Sequence, residues 1–169
     1  MGEPAAVTFE PLSADVVVPS RQTEGSAGYD VCAYLKDRVV TIRRGASGQL
    51  DEVTIAAGGL VLEPGDIALV PTGFKARVPA GYEAQVRIRS SMAFKRGLIL
   101  PNAPGTIDAD YPDEWLVMVK NDSFGTTEIG HGERIAQVVL NRVALLPWTE
   151  GEVGVWSDRR GGLGSTGES

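Results

Sequence analysis

The stretch GLVLEPGDIALVPTGFKARVPAGYEAQVRI, residues 59–88, sets short apolar runs between prolines and glycines. The runs at 59–62, 66–72 and 83–88 are rich in Val, Ile and Leu, and none continues into a helical period. Proline lacks the N–H that a sheet interior needs and glycine admits left-handed turns, so brief runs punctuated this way predict strands. The same rhythm continues outward on both sides. Residues 14–18, 39–43, 116–121 and 135–142 are further candidate strands. Residues 39–43 and 53–55 are joined by RRGASGQLDE, whose glycines predict an exposed hairpin or loop. Only SMAFKR, residues 91–96, lacks alternation and consists of good helix formers, enough for a turn or two. With 21 glycines and 10 prolines spread along the whole chain, the pattern is that of an all-β protein.

Length and charge narrow the function. At 169 residues and 43% hydrophobic content, the chain suits one domain with its own core. Residues 1–156 are expected to form a β domain, and residues 157–169 a flexible Gly-rich arm, because the tail has too little apolar surface to fold by itself. A net charge of −6 excludes a broad basic face for nucleic acid, so any anionic ligand must be met by local groups. Cys32 is the single cysteine and His131 the single histidine, which excludes an internal disulfide and a zinc site built on those side chains. No apolar run approaches the roughly 18 residues of a membrane span, and the N-terminus has no basic-then-apolar leader. A reduced, cytoplasmic setting with no membrane partner is expected.

Chemistry concentrates at residues 102–111, NAPGTIDADY, which hold an amide, two acids and a phenol. Pro104 and Gly105 mark a turn. If residues 106–110 are extended, Asp108 and Asp110 share one face while Ile107 and Ala109 take the other. His131 lies in a Gly-His-Gly turn, where a solvent-exposed position with no partner for catalysis is expected. The tail RRGGLGST has two readings: a disordered end, or glycine N–H groups, guanidiniums and hydroxyls suited to wrap a phosphate chain.

Five separated segments, taken together and in order, resemble the trimeric deoxyuridine triphosphatase family, the dUTPases. They are AGYDVCA at 27–33, RSSMAFKRG at 89–97, NAPGTIDADY at 102–111, GERIAQ at 132–137 and GGLGSTG at 161–167. The resemblance implies a distorted jelly roll, a homotrimer with sites at its subunit interfaces, and Mg2+-dependent hydrolysis of dUTP to dUMP and pyrophosphate. In that family pattern Asp108 matches the acid that positions and deprotonates the attacking water, which suits a carboxylate. Asn102 matches the amide that reads uracil, having both a donor and an acceptor. Tyr111 matches the ring that packs under the deoxyribose and leaves no room for a 2′-hydroxyl.

Arg89, Ser90 and Ser91 match the phosphate-contacting motif, and Gln137 a further phosphate donor. Gly105, Thr106, Ile107 and Leu116 fall along the implied substrate wall. Arg159, Leu163, Gly164 and Ser165 fall in the arm, where Arg159 or Arg160 is the γ-phosphate arginine. Asp30 matches an acid that supports an arginine from behind. The Mg2+ is held through the triphosphate oxygens and water, with no direct protein ligand.

The chain departs from the pattern in four places. The tail is one residue short, with Leu163 at a position that usually carries an aromatic ring. Pro112-Asp113 replaces a more usual x-Gly after Tyr111. Residues 36–58 form a longer segment than compact members carry, and Pro104 stands within the third motif. Two other readings compete: a dCTP deaminase-like enzyme, which shares the fold and phosphate motifs, and a catalytically silent nucleotide-binding trimer. Deamination requires an acid in WLVMVKN, residues 115–121, where Met118 occupies the matching place.

Overall fold

A computed structural model of the chain describes residues 6–55 and 59–154. In chain order its elements are β1 (Thr8–Pro11), β2 (Tyr29–Cys32), β3 (Arg38–Arg43), β4 (Leu50–Ile55), β5 (Gly59–Leu62), β6 (Ile67–Pro71), β7 (Phe74–Arg77), β8 (Tyr82–Ile88), α1 (Ser90–Arg96), β9 (Leu98–Ile99), β10 (Gly105–Ile107), β11 (Leu116–Asn121), β12 (Thr127–Gly130) and β13 (Arg134–Arg142). A five-stranded sheet runs β4-β3-β6-β11-β9 and a four-stranded sheet β10-β8-β13-β2, with two-stranded ribbons β1-β7 and β12-β5. Every pairing is antiparallel. The all-β class is as expected, in the form of a distorted jelly roll.

Alternation along the strands builds the core. β5 buries Leu60 and Leu62 and exposes Val61, and β11 buries Val117, Val119 and Asn121. Both large sheets turn such residues inward, Val40, Val70 and Val119 from one and Val31, Val86 and Val138 from the other, into a single apolar cluster. Phe74 stands within it, its ring 5.2 Å from that of Phe9 and 5.4 Å from that of Trp115. Asn121 is the fully buried polar side chain of this core, and its amide is satisfied: Nδ2 donates to the carbonyls of Leu62 and Gly125 at 2.9 and 2.8 Å, and Oδ1 accepts from Ser123 N–H at 3.0 Å.

Residues 39–55 form the expected hairpin, with Arg38↔Ile55 through Arg43↔Leu50 in register. Its loop closes through Arg44 N–H to the Gln49 carbonyl at 2.8 Å, and Gly48 takes φ 72°, a left-handed value that suits glycine. The hairpin is then bound to the body. Arg44 donates to Asp51 at 2.7 Å and to buried Asp66 at 2.9 Å, while Gly45 N–H donates to the other Asp66 oxygen at 2.8 Å. Burial opposes ionisation of Asp66, yet the Gly45 N–H, the Arg44 guanidinium and the Glu63 N–H together hold its carboxyl below the ordinary range.

The expected strand at 14–18 is not formed. Val17 and Val18 stay exposed there, and a local turn takes over: Val16 N–H meets the Ser13 carbonyl at 3.3 Å and the Ser13 hydroxyl meets Asp15 at 2.6 Å. The N-terminal strand is instead β1, paired with β7 from Thr8↔Arg77 to Pro11↔Phe74. The expected helical turn is α1, one residue longer at its start, ended by Gly97 at φ 63° with its N–H on the Ala93 carbonyl at 3.0 Å.

Candidate active site

Asp30, expected behind an arginine, lies within β2 opposite Gln137 of β13. It holds two guanidiniums at once. Its Oδ1 pairs with Arg89 Nε at 3.3 Å and its Oδ2 with Arg134 Nη1 at 3.0 Å, while Arg89 Nη1 also donates to the Arg134 carbonyl at 3.2 Å. Two cations on one carboxylate leave a local excess of positive charge, on a chain whose net charge is −6. Arg134 belongs to this cluster although the sequence did not single it out as a site residue.

The neighbours suit an anion as well. Arg89 is the residue before α1, and Ser90 and Ser91 are its first two helical residues, with no acid in the first turn and no side-chain cap. Free first-turn N–H groups and serine hydroxyls are donors that an anion can take. Gln137 reaches the same cluster because Gly28 lacks a side chain: a Cβ there would lie 2.2 Å from Gln137 Oε1. Cys32 faces Arg134 across the β2–β13 register. Burial pushes its thiol up despite the nearby guanidiniums, which favours the protonated form.

The residues at 102–111 form a second group at the other edge of the same sheet. β10 ends at Ile107, paired with Ala84. Asp108 and Asp110 therefore do not share a strand face as expected: the chain turns after Ile107, with Tyr111 N–H on the Asp108 carbonyl at 3.2 Å. Both acids are exposed. Asn102 folds back over Gly105, where a Cβ would approach its Nδ2 to 3.2 Å, and the Ala103–Pro104 peptide is cis. Thr106 is exposed opposite Gln85, and Ile107 packs against the core. Tyr111 and Asp110 border a cavity of about 510 Å3 that Lys75 and Arg77 also line, a volume suited to a small ligand. Leu116, at the start of β11, is 38% exposed.

The two groups do not meet within one chain. Ile107 is level with Ala84, Gln137 and Asp30 are level with Arg87, and β10 and β2 are the opposite edges of the sheet. Three residues along the strands and three strand spacings across them separate Ile107, the residue before Asp108, from Asp30 by roughly 17 Å.

His131 is exposed as expected, but it does have partners. Its Nδ1 accepts the Leu35 N–H at 3.0 Å and its ring meets Tyr34 edge-on at 5.0 Å, which ties the turn before β13 to the chain after β2. Among the described residues no three acids, histidines or cysteines converge on a metal position, and no helix is long and apolar enough to cross a membrane. Arg159, Leu163, Gly164 and Ser165 lie outside the described residues.

Known proteins match this arrangement over most of the chain. The dCTP deaminase-like family model matches residues 10–143. The deoxyuridine 5′-triphosphate nucleotidohydrolase of Desulfotalea psychrophila is 44% identical over 151 residues, which cover 89% of this chain and 87% of that one. That of Methylocella silvestris is 38% identical over 172 residues, 99% of this chain and 94% of that one. Among solved structures, a dUTPase from Streptococcus mutans superposes with a TM-score of 0.64 at 26% identity, covering 83% of this chain and 98% of that chain. The dUTPase of Staphylococcus bacteriophage 80α with dUpNHpp reaches 0.75 at 24% identity, a likeness of fold, covering 96% of this chain and 98% of that chain.

Proposed function

Since the chain belongs to the deoxyuridine 5′-triphosphate nucleotidohydrolase family, we propose that it hydrolyses dUTP to dUMP and pyrophosphate at sites built between subunits of a cytoplasmic homotrimer. The observation that carries this reading is the carboxylate of Asp30 bracketed by Arg89 and Arg134, a fixed cationic cradle on an acidic protein. It lies too far from Asp108 to serve it within one chain. The cradle of one copy beside the 102–111 turn of the next would complete the site, as a symmetric ring allows.

Arg89, Ser90, Ser91 and Gln137 bind the triphosphate oxygens, and Asp30 keeps Arg89 extended toward them. Asn102 reads the uracil edge while Tyr111 lies beneath the sugar and excludes a 2′-hydroxyl. Gly105 lets the amide of Asn102 fold over the base, with Thr106, Ile107 and Leu116 shaping the pocket. Asp108 accepts a proton from water as the water oxygen bonds to the α-phosphorus and the bond from that phosphorus to the bridging oxygen breaks, releasing pyrophosphate. The arm residues Arg159, Leu163, Gly164 and Ser165 close over the nucleotide. Among the described residues no three acids, histidines or cysteines converge on a metal position, and Mg2+ would be held through water and the triphosphate oxygens that Arg89, Ser90, Ser91 and Gln137 bind. Such an ion would supply neutralisation of phosphate charge.

The family model's description favours one other enzyme, a dCTP deaminase. Against it, residues 115–121 contain no acid, and half-buried Met118 occupies the middle of β11. Product assays with dUTP, UTP, dCTP and dTTP in the presence of Mg2+ separate the readings. Pyrophosphate from dUTP alone is expected, and Asp108→Asn is expected to abolish it while dUTP still binds. Ammonia from dCTP, or silence on every nucleotide, would overturn the proposal.

A further inference from the structure

We propose that Arg38 is a positioning residue for Tyr111, acting through Glu114, and so sets how strictly the site refuses a 2′-hydroxyl. The inference rests on the reading of Tyr111 as the ring beneath the sugar. Arg38 opens β3, inside the 36–58 segment to which the family pattern gives no role. Its Nη2 pairs with Glu114 Oε2, and the two side chains are 28% and 15% exposed. The other carboxylate oxygen of Glu114 accepts the Gly73 N–H at 2.7 Å, and its backbone carbonyl accepts the Tyr111 hydroxyl at 3.3 Å.

The next residue completes the clamp. Trp115 is buried, with its N–H on the Phe74 carbonyl at 3.1 Å and its own carbonyl holding the Thr72 hydroxyl at 2.7 Å. Glu114 and Trp115 are therefore pinned to β3 and to the turn between β6 and β7. Tyr111 hangs from this point by its hydroxyl and from Asp108 by its N–H. Between them stand Pro112 and Asp113, which replace the usual x-Gly. The longer hairpin and the altered turn thus meet at one ion pair.

A shielded arginine–carboxylate pair fixes direction as well as distance. Without Arg38 the Glu114 carboxylate keeps only the Gly73 N–H, its backbone relaxes, and the tyrosine ring gains freedom to tilt. A tilted ring leaves room for the oxygen that it otherwise excludes.

The test is steady-state kinetics of the full chain with dUTP and UTP for Arg38→Gln, Glu114→Gln, Tyr111→Phe and Tyr111→Ala. The ratio of the two kcat/KM values cancels the folded fraction, so a merely structural role would leave it unmoved. Arg38→Gln and Glu114→Gln are expected to lower the dUTP-over-UTP ratio roughly three- to tenfold, the range of one lost hydrogen bond, chiefly through a raised kcat/KM for UTP. Tyr111→Phe should do the same, and combining it with Arg38→Gln should add little. A wild-type ratio in Arg38→Gln while Tyr111→Ala relaxes it would overturn the positioning role and leave the sugar reading intact. A wild-type ratio in Tyr111→Ala would overturn the sugar reading itself.

Discussion

Gly28 has no side chain because Gln137 needs the space. A methyl group there would stand 2.2 Å from Gln137 Oε1 and 3.0 Å from its Cδ, so Gly28→Ala must turn the amide out of the cradle. The variant is expected to fold as the wild type does and to lose roughly tenfold in kcat/KM for dUTP, the scale of one hydrogen bond to a charged group. Kinetics paired with a thermal melt would check this, since unchanged kinetics would remove Gln137 from the phosphate site. Asp30, Arg89 and Gln137 stood out in the sequence through their motifs, and the structure pairs Asp30 with Arg89 and sets it opposite Gln137. The partnership with Arg134 did not stand out. That Asp30 serves Arg134 as well as Arg89 depends on the β2–β13 register, which closes across about a hundred residues of chain and leaves no local mark. The Leu35 N–H on His131 escaped notice for the same reason.

Strands with two-residue alternation and clear punctuation were legible as elements, among them β5, β6, β8, β11 and β13. β1, β2, β7 and β12 have only four residues each and take their place from distant partners rather than from their own pattern. Conversely, the valines at 16–18 look like a strand but pair with no strand, because Ser13 and Asp15 capture the local backbone. The β3–β4 hairpin was visible from its glycines, whereas its anchor at Asp66 was not. Asp66→Asn keeps the shape but leaves Arg44 short of a buried partner, and is expected to cost about 3 kcal/mol in denaturant unfolding. Asp66 has a folded value below the 3.8 of an ordinary aspartate, so its stabilisation is complete above that pH and is lost as the pH falls through the folded value. Wild type should therefore lose stability below about pH 4 more steeply than Asp66→Asn, a difference that melts at stepped pH would show. Parallel curves would mean that the Asp66 charge does not hold the hairpin.

At the scale of the molecule, the four-stranded sheet carries a cationic cradle on β2, β13 and the start of α1 at one edge, and at the other an amide before β10 with an acid and a phenol after it. The sequence sets Arg89 and Asn102 only a short stretch apart, and neither pattern nor spacing shows that the fold holds their groups apart. Register shows it, and under the proposed reading the division makes a subunit interface part of the chemistry. Arg89→Gln should disable the cradle and Asp108→Asn the base, so each variant alone should be inactive. Co-refolded in equal amounts, they would form mixed assemblies in which some interfaces join an intact cradle from one subunit to an intact Asp108 from its neighbour. Random pairing predicts that roughly a quarter of the wild-type dUTP hydrolysis returns. A mixture as inactive as its parents, under conditions where the subunits demonstrably exchange, would contradict a site shared between copies.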